Sequence, residues 1–318
     1  MVSSAGLPFK SHRRTPALSQ GAIRTGSWIN DSTEFVQTCL DQVGLARDTV
    51  VVDSSGHRSL VIVSKTQQRV YRFPREANDA AEIADYGKRH ELSAALGLPV
   101  PRWYRTHLGR PGEAFLELEL IGGNGLDHPM VVGLAARRPV AVGRQFAYLL
   151  LQLRAISATL WPLPRIDLTG LWDDLAIRVR ELEGHVPNDV YEAMDRAALA
   201  AIVANRSAHL GLVHGDLGGV NARFSELGRL TGVLDWDGAG IADVAADAAA
   251  VSVGLPPEAR AVLFQTAPVI AEDAARCQAY VDTWTAQGAL WALANDDEHG
   301  LNDMIRRERE RMAKNGWG

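Results

Sequence analysis

The chain has 318 residues, 47% of them hydrophobic, enough to bury a full core and to build two lobes. Its formal net charge of −5 gives no general attraction to phosphate backbones, so nucleic acid is not expected as a principal partner. Cys39 and Cys277 lie far apart and fit buried thiols in a reducing, cytoplasmic compartment better than a disulfide framework, and no uninterrupted apolar run of about eighteen residues suggests a membrane span.

Residues 1–28 carry basic side chains with no apolar stretch behind them, unlike a secretory signal, and read as a flexible extension. Asp31-Ser32-Thr33-Glu34 has capping-box spacing and predicts a first helix through Phe35, Leu40, Val43 and Leu45. Short β-branched or aromatic runs at 49–53, 59–63 and 69–73 predict an antiparallel meander. A helix is expected over 76–96, ended by Gly97 and Leu98-Pro99-Val100-Pro101, then strands near 102–106 and 114–120. Gly122-Gly123-Asn124-Gly125 reads as a linker. Beyond it the pattern turns helical, over 141–160, 171–184, 189–208, 257–287 and the charged C-terminal stretch.

The densest chemistry lies in 211–237, GLVHGDLGGVNARFSELGRLTGVLDWD, where His214, Asp216, Asn221, Asp235 and Asp237 fall in two short apolar-flanked segments. Carboxylate and amide oxygens gathered this way suggest metal-assisted phosphoryl transfer. That reaction asks mainly for a positioned acceptor, metal ions bridging phosphates and cations that offset charge. The apolar runs Leu212-Val213 and Leu230–Leu234 are expected to set both groups on the ends of paired strands. Taken singly, Asp216 and Asp235 also read as ordinary turn or helix-cap carboxylates.

The spacing His214-x-Asp216-x4-Asn221, followed by Asp235-Trp236-Asp237, resembles the catalytic segment of the aminoglycoside phosphotransferase family of antibiotic kinases. Upstream features extend the resemblance over roughly 50–250, in the family's order. His-Gly-Asp-Leu-Gly-Gly-x-Asn and Leu-Asp-Trp-Asp look like its viomycin and capreomycin branch, and Arg-Phe-Pro-Arg like its macrolide branch. The resemblance implies an α+β, two-lobed, protein-kinase-like fold, with a small antiparallel-sheet N-lobe over 29–121 and a larger, mainly helical C-lobe over 122–318.

The same resemblance implies Asp216 as the base and Asn221 and Asp235 as Mg2+ ligands, an oxygen-only set suited to a hard cation that keeps several waters. It places the phosphates of ATP or GTP against Ser55, Gly56 and Arg72, where Lys is commoner. Glu91, with Glu82 as the alternative, is expected to pair with Arg72. Main-chain atoms of about Glu119 and Ile121 are expected at the purine. His214 is read as a loop brace rather than a catalyst, Asp247 as a further brace, and Asp237 as near metal or acceptor. The implied partners are a nucleoside triphosphate and a small hydroxyl acceptor, an aminoglycoside, macrolide or cationic peptide antibiotic. The cluster Asp296-Asp297-Glu298 is either an attractor for a cationic acceptor or a solvated loop. A metabolic kinase of amino alcohols or sugars, a metal-dependent phosphoester hydrolase and a nucleotide-binding pseudoenzyme are the alternatives.

Overall fold

The structure is a computed structural model that describes residues 33–54, 59–125, 128–157, 159–161, 166–218, 221–267 and 271–314. The expected extension over 1–28 and the phosphate-loop residues Ser55 and Gly56 lie outside the described residues. The described chain forms two compact units, one made of 33–122 with Thr231–Asp237, the other of Gly123–Leu230 with 238–314.

The first unit holds a fully antiparallel sheet of order β1-β2-β3-β5-β4. The strands are β1 (Val51–Asp53), β2 (Ser59–Ser64), β3 (Arg69–Pro74), β4 (Trp103–His107) and β5 (Phe115–Glu119). Alternation along each strand splits the apolar side chains between two faces. Leu60, Ile62, Tyr71, Phe73 and Phe115 pack with Phe35, Cys39 and Leu40 of helix α1 (Thr33–Val43). Leu116 and Leu118, with Val70, pack instead on Ala80, Ile83 and Tyr86 of α2 (Ala77–Ala95). Arg72 alternates with Tyr71 and Phe73, so it stands on the α2 face, paired in register with Val61 and Leu116.

The second unit is mainly helical. Its strand β7 (Leu210–Val213) pairs antiparallel with β10 (Gly240–Asp243), Val213 opposite Gly240. The expected pairing of Leu212-Val213 with Leu230–Leu234 is therefore corrected: β9 (Leu230–Val233) is not the partner of β7. β10 escapes a pattern search because all four of its residues are buried, leaving no alternation to read. The expected linker also contains structure, since Asn124–Gly125 forms a short strand β6 that pairs with β8 (Ala222–Phe224).

Helical boundaries shift for local reasons. The helix expected over 141–160 is α4 (Pro139–Ala155), preceded by α3 (Pro129–Arg137), whose N-terminus is capped by His128 accepting the N–H of Met130. It stops at Ala155 because Ile156 turns extended and its carbonyl accepts the N–H of Leu212 in β7. Helices α5 (Leu168–Arg178) and α6 (Asn188–Asn205) follow, with α7 (Ala245–Gly254) after β10. The single helix expected over 257–287 is interrupted, giving α8 (Pro257–Thr266), α9 (Ala274–Asp282) and α10 (Trp284–Ala294). At the last break Thr283 turns its hydroxyl onto the carbonyl of Tyr280, the local side-chain bond that competes with helix continuation. The C-terminal helix is α11 (Glu298–Lys314). Among the described residues no helix is long and apolar enough to cross a membrane.

Candidate functional site

The segment after β7 is held from below by one carboxylate. Asp247, buried at the start of α7, accepts the backbone N–H of His214 at 2.6 Å and that of Gly215 at 3.0 Å. Burial pushes its pKa up to about 7, against the two N–H bonds that pull it down. His214 is itself fully buried, and its Nδ1 accepts the backbone N–H of Asp216 at 3.2 Å. The ring therefore braces the turn. Gly215 sits at φ 83°, a left-handed conformation that disfavours side chains, and a Cβ there would stand 3.0 Å from the carbonyl oxygen of Gly238.

Asp216 and Asn221 meet in this turn. Nδ2 of Asn221 donates to the main-chain oxygen of Asp216 at 2.9 Å and to its Oδ2 at 3.1 Å. Spending the amide nitrogen on Asp216 fixes the orientation of the amide and turns Oδ1 of Asn221 the other way, as an oxygen donor for a hard cation. Taken each within its own unit, the side-chain oxygen of Asn221 and the carboxylate of Asp235 are hard oxygen donors of the type that Mg2+ takes, one or two protein ligands commonly sufficing beside water and phosphate. Among the described residues no three His, Cys, Asp or Glu side chains form a metal cluster, which a magnesium site of this kind does not require.

Behind β7 and β10 lies a buried charge network. Asp243 accepts the N–H groups of His209 and Ala245, the hydroxyl of Tyr280 at 2.8 Å and Nε of Arg276 at 3.0 Å. Arg276 also bonds Asp273, which is held in turn by Arg154 and His209. The network ties the strand carrying the His214 turn to α4 and α9.

In the other unit, Arg72 is gripped by two carboxylates. Its Nη1 and Nη2 donate to Oδ1 and Oδ2 of Asp237 at 3.1 and 2.8 Å, a bidentate fork, and Nη1 lies 3.2 Å from Oδ1 of Asp235. Burial disfavours the guanidinium charge, but Asp237 and then Asp235 outweigh it and hold the pKa above its ordinary value. Asp235 has φ 62°, unusual for a residue with a side chain though Asp tolerates it better than most. The following Trp236 is fully buried, and its Nε1 donates to the carbonyl of Val233 at 2.8 Å.

The helix acids stand elsewhere. The inward face of α2 is formed by Ile83, Tyr86 and His90; Glu91 is exposed, and Glu82 accepts the hydroxyl of Tyr86 at 2.8 Å. Expected as the partner of Arg72, Glu91 is replaced in that role by Asp237 and Asp235. Nothing about the spacing of Arg72 and Asp237, 165 residues apart, signals their pairing. Arg75 is buried and donates to the carbonyl of Ser54 at 2.6 Å.

At the end of β5 the main chain is largely committed. The N–H of Glu119 donates to Arg102 and that of Leu120 to Gln68. Ile121 lies against β9, where a Cβ on Gly232 would overlap its Cδ1, and Oγ1 of Thr231 donates to the carbonyl of Gly122 at 2.6 Å. Sequence reasoning did not find this latch; the one signal for it is a glycine inside a short strand. The acidic cluster has a local use, since Asp297 accepts the N–H of Gly300 at 2.9 Å as an N-terminal cap of α11.

The model of the APH family, described as a phosphotransferase enzyme family, matches residues 49–290. Viomycin phosphotransferase from Streptomyces vinaceus is 29% identical over 258 residues, 78% of this chain and 86% of that protein. Among solved structures, the GDP and kanamycin complex of APH(2")-IIia superposes with a TM-score of 0.71 at 17% identity, covering 89% of this chain and 99% of the other. Macrolide 2'-phosphotransferase MphH from Brachybacterium faecium gives 0.61 at 20% identity, covering 84% and 94%. These likenesses bear out the kinase-like α+β fold expected from the sequence.

Proposed function

Since the chain belongs to the APH family of phosphotransferase enzymes, we propose that it moves the γ-phosphoryl group of ATP or GTP to a hydroxyl of an aminoglycoside, macrolide or cationic peptide antibiotic. The observation that carries this reading is the Asn221 to Asp216 hydrogen bond inside a turn braced by Asp247. It gives a carboxylate of fixed orientation beside an amide whose oxygen is left free of that bond and could serve a cation. In this reading Asp216 orients the acceptor hydroxyl and takes its proton as the oxygen attacks the γ-phosphorus. Asn221 Oδ1 and Asp235 would hold Mg2+, which would supply charge neutralisation at the donor phosphates.

Arg72 meets the donor phosphates as a cation. With the N–H groups of Glu119 and Leu120 committed, Ile121 is the main-chain donor of that segment assigned to the purine edge. The viomycin-type relative supports an antibiotic as acceptor, and a cationic one fits the acidic balance of the chain.

A transfer screen tests this directly, pairing aminoglycosides, macrolides and cationic peptides with ATP and with GTP, and mapping the phosphorylated hydroxyl by mass and NMR. Asp216→Asn should lose turnover by at least about a hundredfold while retaining nucleotide-dependent thermal stabilisation. Full transfer by Asp216→Asn would remove it as the base. Turnover confined to amino alcohols or sugars would replace the antibiotic with a metabolic acceptor.

A further inference from the structure

Arg72 is placed by its partners. The fork from Asp237 fixes the plane of the guanidinium, and Asp235 approaches the same Nη1 from a second direction. A lysine, with one compact ammonium on a flexible stem, could not hold that geometry. After these contacts the guanidinium keeps Nε–H and one hydrogen on Nη2 for other acceptors. Among the described acids of α2, Glu82 accepts the hydroxyl of Tyr86, Asp85 pairs with Lys88 and Glu91 is exposed.

We infer that Asp237 is the positioning residue for Arg72, replacing a helix carboxylate, so that Arg72 presents its remaining N–H groups to the phosphates of a nucleoside di- or triphosphate. This rests on the phosphoryl-transfer reading above. It accounts for Arg and Asp occurring together: the fork needs a planar donor on β3 and a carboxylate two residues beyond Asp235. Asp237 acts through Arg72 and touches no substrate atom in this role.

The test is a double-variant comparison read as binding of ADP and of GDP by titration calorimetry without magnesium, so that metal coordination does not contribute. Asp237→Asn, which keeps the shape but loses one acceptor oxygen and the charge, should weaken binding about tenfold in the wild-type background. In the Arg72→Ala background the same change should cost less than about twofold. Should Arg72→Ala not fold, Arg72→Lys serves as the second background, with the cost of Asp237→Asn again reduced. Equal losses in both backgrounds would make Asp237 merely structural, and tighter binding by Asp237→Asn would make the pair an obstacle; either overturns the inference. Normal binding by the wild type with unchanged binding by Asp237→Asn overturns the inference alone. A wild-type chain that binds neither nucleotide overturns the phosphoryl-transfer reading and takes the inference with it.

Discussion

The carboxylate of Asp247 accepts the backbone N–H of His214 at 2.6 Å, and with the Gly215 bond it fixes the turn that carries Asp216. This places a buried ionisable group at the root of the candidate site, and its pKa near 7 makes the arrangement pH-dependent.

The sign follows from linkage. A carboxyl whose folded pKa exceeds its unfolded value binds its proton more tightly in the folded chain. Its contribution to stability is therefore largest below about pH 4 and is lost as pH rises toward 7, by up to about 1.4 kcal/mol per unit. Asp247→Asn removes that slope. Its stability relative to wild type, followed by thermal or urea unfolding, should improve between pH 4 and 7, while kcat near neutrality falls because a neutral amide holds the two N–H groups less firmly. A variant with unchanged pH dependence would show that Asp247 does not titrate in this range.

Asn221 has two expected jobs, which two variants separate. Asn221→Ala removes both the donor to Asp216 and the oxygen for the cation, so kcat should fall by about a hundredfold and half-saturation by Mg2+ should rise. Asn221→Asp keeps an oxygen ligand but sets a second carboxylate beside Asp216, so the acidic limb of the rate profile should move to higher pH. Magnesium dependence identical to wild type in Asn221→Ala would exclude it as a ligand.

Gly232 leaves room for Ile121, and its replacement should be felt at the nucleotide. In Gly232→Ala the new methyl group must displace the Ile121 side chain, an overpacking worth about 1–3 kcal/mol. If Ile121 meets the purine edge as proposed, affinity for ADP or GDP should drop more than acceptor affinity does. Equal binding of nucleotide by wild type and variant would detach Ile121 from the purine.

The candidate site was proposed from the stretch where chemistry and spacing coincide. His214, Asp216, Asn221 and Asp235 can be read as a set because each needs a specific residue type at a fixed offset. The sheet of the first unit was also readable, since its strands alternate between two apolar faces. Three features were not. The β10 strand is buried on all sides and carries no period. The end of α4 depends on Ile156 bonding to a strand more than fifty residues later, which no local propensity encodes. The partner of Arg72 was sought on the adjacent helix, whereas a long-range ion pair depends on the folded backbone bringing β3 against the segment after β9.

The network behind β7 yields the largest expected loss of stability. Arg276 is almost wholly buried and compensates Asp243, which is more deeply buried still. Arg276→Met keeps much of the volume but leaves Asp243 with only Tyr280 and main-chain donors, and breaking one side of a buried pair costs about 3–5 kcal/mol. Adding Asp243→Asn to Arg276→Met should recover part of the stability, making the two changes non-additive in urea unfolding. Because β10 pairs with β7, whose end leads into the His214 turn, kcat should decline in Arg276→Met before the chain unfolds. Additive losses at every pH would mean that Asp243 and Arg276 do not compensate one another.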